Sequence, residues 1–402
     1  MKYDSLFIAG MLASVVAISF SCSHSSCNEN SECKKIDMAY EIDNAQVVNL
    51  SKYATKIEYI PLETGAGSML GRVVSVVEGE GCYYLSGSDE CAKAFDRDGK
   101  FLGDVGVIGR GPGEVQIIST LLYDEKNNGV ALVSGNKVVV YNPVDNSVIK
   151  VIDTRVLEGC RAVGCRANGD YIMYGFDRDS ITNNDIEKYI LISSEGDVLE
   201  ERTIGPNIPT QGEFRGIPII FAQGYAVFMS GDNLYAMSSS RDTLYRIDDK
   251  NGKEAEFLFD FGKYTSKTRL NEPGMRLMMY PHKVDTKDFT MFALGGVRNG
   301  LPSIVPDGSI QRGDGYVLLD KQEKRFYVLK HDSRNPLIGF RNDIDGGMNF
   351  TPTFSTADKM FRVENADKFI EYASQSSSSR MKEVAATLTE ESNPVLVVVT
   401  LK

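Results

Sequence analysis

Tryptophan is absent from this 402-residue chain, which removes the Trp-Asp repeat that marks one large class of ring-shaped β proteins. Histidine is nearly absent too, with His24, His282 and His331 the whole supply. A His-rich metal centre or a Ser-His-Asp relay is hard to build from three. Positive charge is in deficit: Lys and Arg total 44 against 55 Asp and Glu, a formal net charge of −11. A nucleic-acid binder needs a cationic footprint on phosphate, so that class is excluded. No CxxC, GxSxG or HExxH sequence occurs, which leaves zinc, thioredoxin-like, serine-hydrolase and zincin readings without support.

Long apolar runs are also scarce. Leu6 to Phe20 carries no charge, but it falls short of the roughly 20 residues a membrane-spanning helix requires. Placed after Lys2, it has the length and flanks of a secretory core, so residues 1–21 read as a signal peptide. The small residue Ser21 followed by Cys22 resembles a bacterial lipoprotein signal, in which Cys22 is acylated and becomes the first residue. The alternative is an ordinary cleaved signal. Polar, turn-rich Ser23–Lys35 reads as a tether, and residues 22–50 as the lipidated N-terminus that carries it. Apart from Cys22 there remain Cys27, Cys33, Cys82, Cys91, Cys160 and Cys165, an even number in a disulfide-permissive compartment. The close pairs 27/33, 82/91 and 160/165 could form local bridges; the expectation is buried or bridged structural cysteines, with connectivity open.

What the chain has in quantity is strand and turn. Tyr53–Glu63, Val73–Glu78, Cys82–Ser86, Ala92–Asp96 and Lys100–Val105 are short β-rich runs, the last two joined by Asp98-Gly99, a strong hairpin signal. The turn recurs at Asp145-Asn146, Glu195-Gly196 and Asn251-Gly252, at intervals of roughly 50 residues with four strands in each, the period of a β-propeller. The next turn is expected at His331–Asn335, delayed by what reads as an inserted loop, Tyr264–Gly300, with a helix over Arg269–Tyr280. Lys368–Ser374 and Arg380–Glu391 have helical periodicity, stopped by Asn393-Pro394. The apolar end VLVVVTLK must be covered on both faces, and the strand around Ile57 is expected to pair beside it and complete the last blade. The expected architecture is all-β, a six-bladed β-propeller over residues 51–402, with N- and C-terminal strands closing the last blade and a short C-terminal helical insertion.

The stretch FDRDGKFLGDVGVIGRGPGE, Phe95–Glu114, resembles the signature of bacterial six-bladed β-propeller lipoproteins, related in fold to NHL-repeat and TolB-like propellers. RDTLYRI, Arg241–Ile247, and ESNPVL, Glu391–Leu396, are similar to the same family. The resemblance implies an exported propeller, anchored to the outer membrane as a cell-envelope lipoprotein. It implies no particular activity and no catalytic residues.

Gly109–Glu114, GRGPGE, lacks the following helix that a dinucleotide-binding loop needs, since Val115–Ser119 is β-like. It reads as a connection crossing a blade face, with Arg110 and Glu114 near the mouth of the central channel. Gly212-Glu213 and Arg215 echo it after a later outer strand. These carboxylates either contact a ligand or cap backbone amides. Asp96-Arg97-Asp98-Gly99 resembles the start of a calcium loop, but Val107 stands where the bidentate Glu belongs, so a plain turn is expected. His282 is expected in a surface loop of the 264–300 insertion, where function concentrates. The candidate ligand-binding set is therefore Arg110, Glu114, Glu213, Arg215 and His282, with no metal site and no cofactor. The favoured function is a non-enzymatic, lipid-anchored binding module for an envelope protein, peptide or glycan. The alternative is a metal-dependent, lactonase-like hydrolase, with Ca2+ held by Glu114, Glu213 and Asn349.

Overall fold

The computed structural model describes residues 33–87, 90–178, 185–207, 210–214, 217–221, 224–231, 233–238, 241–248, 252–264, 276–298, 301–303, 315–330 and 338–402. The signal segment, Cys22 and Cys27 lie outside them. Six blades of four antiparallel strands stand around a ring, the fourth and fifth each carrying one additional strand. Blade 1 is Ser75–Gly79, Cys82–Ser86, Ala92–Asp96 and Phe101–Val105, in order from the innermost strand outward. Blade 2 runs from Thr120–Asp124 to Val148–Asp153, blade 3 from Glu158–Cys165 to Val198–Asn207, and blade 4 from Ala226–Ser230 to Gly252–Asp260. Blade 5 starts with Arg276–Asp285 and ends with Arg325–Val328. In blade 6 the order is Phe354–Ser355, Lys359–Glu364, Val395–Leu401 and finally Ala54–Pro61 from the other end of the chain. Each innermost strand touches the innermost strands of both neighbours, so the circle is complete.

The closure follows from the sequence. Val395, Leu396, Val397 and Val399 have no exposed surface because a strand in the middle of a sheet between two neighbouring blades meets apolar partners on both faces. Each such burial is worth about 1.5–3 kcal/mol. Ile57 pairs with Val399 in the antiparallel register. Asn393 of ESNPVL, itself fully buried, prepares the strand: its amide donates to the carbonyls of Glu63 (2.6 Å) and Ser68 (2.8 Å) and accepts from the Leu70 N–H (2.9 Å). At the seam with blade 1, Gly99 has φ +86 and a Cβ there would lie 2.3 Å from the Pro61 carbonyl, so the turn glycine is required twice over.

The core is divided among the joints between blades rather than gathered at the centre. Val115 and Ile118 of the crossing connection join Leu132, Val139 and Tyr141 in filling the joint between blades 1 and 2. Tyr171, Met173 and Ile190 fill the joint between 2 and 3 together with Val138 and Ile152.

Several elements differ from expectation. The supposed insertion Tyr264–Gly300 contains the two long strands of blade 5, Arg276–Asp285 and Phe289–Arg298. Met278 to Tyr280, expected as the end of a helix, lies in the first of them, while residues 265–275 lie outside the described residues. Pro273-Gly274 is a breaker that argues against a continuous helix. The outer turn of blade 5 is not at His331–Asn335, which is outside the described residues, but at residues 321–324 between its last two strands. No glycine marks it, because Lys324 adopts the left-handed φ of +50. The helices are Ala366–Gln375 and Ser379–Ala385. The second stops six residues before Glu391 as Thr387 turns its hydroxyl back onto the Val384 carbonyl (2.7 Å).

Residues 34–50, expected within the tether, are docked. Lys34–Asp37 adds in parallel to the outer strand of blade 4, a helix at Met38–Asp43 buries Met38, and Gln46 pairs beside Leu329 of blade 5. Cys82 and Cys91 are free thiols at opposite ends of one hairpin, since Cys82 pairs with Asp96. Cys160 and Cys165 share one strand, whose rise of about 3.3 Å per residue holds them beyond disulfide reach.

Candidate ligand-binding cavity

The joint between blades 4 and 5 has an apolar core of its own, with Met237, Phe259, Met279, Val317 and Phe326 in it, and a cavity lies beside that core. This cavity, of 820 Å3, opens where the innermost strands of blades 3 to 6 end, at Cys165, Ser230, Asp285 and Ser355. Its floor is apolar: Leu244, Phe257 and Phe292 are almost wholly buried, and Phe228 stacks on Tyr235 with ring centres 5.7 Å apart. Its rim carries Lys287, Lys321 and Lys324, the first and last well exposed. Mostly apolar clefts of this size with a few placed polar groups are what small-molecule sites look like.

Asp285, the last residue of blade 5's innermost strand, is the polar hub of the wall. Its carboxylate accepts from the hydroxyls of Ser230 (2.8 Å) and Thr290 (2.6 Å), from the Gly231 N–H (3.0 Å) and from Lys321 Nζ (2.9 Å). Ser355 of blade 6 donates to the Asp285 carbonyl (2.7 Å) and accepts from its N–H (2.8 Å). Three blades are thus tied at one residue on the cavity's edge.

Deeper in, the outer strand of blade 4 has a β-bulge: Leu244 pairs with Phe257 while Tyr245 pairs with Ala255. Glu256 is the extra residue. Two residues facing one are no longer forced to opposite faces, and such bulges re-aim side chains. Both Glu256 and Phe257 accordingly line the cavity. The Glu256 Oε2 is shut off from solvent and has no hydrogen-bond partner. Burial, then the Glu256 charge and its hydrogen bond, push the neighbouring Tyr235 hydroxyl up to about 12. Burial also lifts the Cys165 thiol at the cavity's inner end to about 12, so it is held as a protonated thiol at neutral pH.

The residues singled out in the sequence are scattered. Arg110 and Glu114 lie in the connection that enters the first, not the last, residues of an innermost strand, away from the cavity mouth. Arg110 is exposed. The Glu114 carboxylate accepts from the Gly111 N–H (2.8 Å), and a Cβ on Gly109 would collide with it. Lys137 donates to the carbonyls of Gly111 (2.8 Å) and Pro112 (3.2 Å), and the Tyr141 hydroxyl donates to that of Gly113. The glycines of GRGPGE therefore make room for a loop that folds on its own carboxylate and docks on blade 2. Glu213 is in a separate two-stranded hairpin, Thr210–Phe214 with Ile217–Phe221, and Arg215 lies outside the described residues. His282 is not in a loop: it sits in the innermost strand of blade 5, its ring edge-on to Tyr316 at 5.5 Å. Asn349 is buried in the segment leading to blade 6. Among the described residues no three His, Cys, Asp or Glu side chains are grouped to hold a metal ion.

Asp285 and Glu256 were missed. A recurring Asp at the end of an innermost strand, in LLYDEKN at Asp124 and HKVDTKD at Asp285, was available as a signal. The bulge that turns Glu256 inward leaves none.

Among solved structures, the chain resembles an exported protein, as its description conjectures, of Bacteroides fragilis NCTC 9343, with TM-score 0.57 at 16% identity over 92% of this chain and 99% of that one. Weaker likenesses are to a member of the duf4221 family from Bacteroides vulgatus ATCC 8482 (TM-score 0.43, 10% identity, 87% of this chain and 97% of that one) and an auxiliary nutrient binding protein from Bacteroides thetaiotaomicron VPI-5482 (0.39, 7%, 86% and 77%). No curated protein matches the sequence. The family model described as a domain of unknown function, DUF4934, matches residues 33–400, from the docked N-terminal arm to the closing strand, and the chain belongs to that family.

Proposed function

We propose that this protein is an exported binding module, tethered to the cell envelope through a lipid on Cys22, that holds a small molecule or the end of a peptide or glycan in the cavity between blades 4 and 5. The observation that carries this reading is the 820 Å3 cavity itself, apolar at its floor and polar at its rim, beside the packed core of blades 4 and 5. A fold selected only for stability gains by filling such a space. The apolar run at 6–20 and Ser21-Cys22 support export and anchoring.

Filling the cavity tests the reading. Leu244→Trp should keep the strand content and the cooperative melt of the wild type but lose the rise in Tm that a low-molecular-weight fraction of peptone or polysaccharide digest gives the wild type. A rise that survives Leu244→Trp and disappears with Arg110→Ala or Glu114→Ala would move the contact surface to the crossing connection. Metabolic labelling with an alkyne fatty acid should mark the wild type and not Cys22→Ser; equal labelling would overturn the anchor.

A further inference from the structure

Resting on the cavity reading, we infer that the ligand is a small zwitterion with an apolar body, a free amino acid or short peptide, whose ammonium group is received by Glu256 and whose carboxylate faces the rim lysines. Glu256 is the odd residue of the joint. A carboxylate in an aromatic-walled space is costly unless something pairs with it. Tyr235 beside it supplies one hydroxyl, and the buried Oε2 is left without a donor. A ligand ammonium would complete it, and the faces of Phe228 and Tyr235 in the same wall favour a cation over a neutral donor.

The bulge is a second, independent observation. A regular strand would have sent Glu256 to the opposite face from Phe257, into the other side of the blade. The chain carries an extra residue at the one place that brings the charge inside. At the mouth the sign reverses: Lys287, Lys321 and Lys324 line the opening, and although Lys287 is paired with Asp358 (2.7 Å) and Lys321 with Asp285 (2.9 Å), Lys324 adds a positive charge beyond these pairs. A simple amine would meet repulsion there, whereas a molecule with its negative end outward would not. The apolar floor between the two ends, made by Leu244, Phe257 and Phe292, suits a hydrophobic side chain.

Titration calorimetry with leucyl-phenylalanine, N-acetyl-leucyl-phenylalanine and maltotriose tests this on the full mature chain. The free dipeptide should bind at least 10-fold tighter than its acetylated form. Glu256→Gln should erase that difference, while Glu254→Gln, which alters the neighbouring acid paired with Arg246, should preserve it. Equal binding of the two dipeptides, or binding of neither, overturns the inference. Binding of maltotriose alone, lost in Leu244→Trp, also overturns it but leaves the cavity as the binding site.

Discussion

Asp124 and Asp285 hold the same place in blades 2 and 5, each ending an innermost strand, yet the joints around them differ. Asp124 has no exposed surface; it accepts from Lys150 Nζ (2.9 Å), from the Tyr171 hydroxyl of blade 3 (2.8 Å) and from Asn127. The Tyr171 ring, Met173 and Leu157 then close the joint completely. Asp285 keeps the same kind of lysine and hydroxyl partners, but its side chain is 23% exposed because the space beyond it is the cavity. The polar hub at the end of the strand is thus architecture, present with or without a hollow. What sets blades 4 and 5 apart is the cavity beyond the strand end and the acid turned towards it.

The comparison can be broken most forcefully at the fillers. Tyr171→Ala should destabilise by about 4 kcal/mol, a fully buried aromatic lost from a closed joint, whereas Phe228→Ala, already facing empty space, should cost about 1.5 kcal/mol. Urea unfolding of the two variants checks this, and equal losses would mean that the joints are packed alike. The hubs come next. Asp124→Asn should cost about 3 kcal/mol, since it strands Lys150 in a buried setting, and the more exposed Asp285→Asn about 1 kcal/mol.

The first of these also carries a pH signature. Burial works to raise the Asp124 carboxyl, but the bonds from Asn127, Lys150 and Tyr171 prevail and hold it below its ordinary value of 3.8. A depressed carboxylate contributes stability above the unfolded pKa and loses it as pH falls through the folded one. The gap between wild type and Asp124→Asn should therefore be constant at neutral pH and narrow below about pH 4, followed by chemical denaturation at stepped pH. A gap independent of pH would contradict the ionised hub. Smallest of the losses, Glu114→Gln should cost about 0.5 kcal/mol by weakening the bond from the Gly111 N–H, with ligand binding unchanged if the crossing connection is scaffold.

Much of this fold was legible because its repeating parts obey local rules. Asp98-Gly99, Asp145-Asn146, Glu195-Gly196 and Gly252 mark real outer turns, and the apolar run VLVVVTL could only be an interior strand. Blade 5 was misread where those rules lapse: its outer turn reaches positive φ with Lys324 instead of glycine, and its long inner strand starts beside a Pro-Gly pair. The cavity was less legible still. Arg110 and Glu114 drew attention because glycine and charge stand out in a sequence, yet Glu114 uses that charge on its own loop. Leu244, Phe257 and Phe292 look like any core residues, and only the register of two distant segments shows that they face a void.

The central claim, that the cavity is kept open for a positively charged group at Glu256, is tested most directly by measuring Glu256→Gln without ligand. Removing a partly buried carboxylate whose Oε2 has no donor should raise the unfolding free energy by about 1 kcal/mol while binding of leucyl-phenylalanine falls at least 10-fold. A variant that is less stable than the wild type, or one that binds the dipeptide equally well, would contradict it.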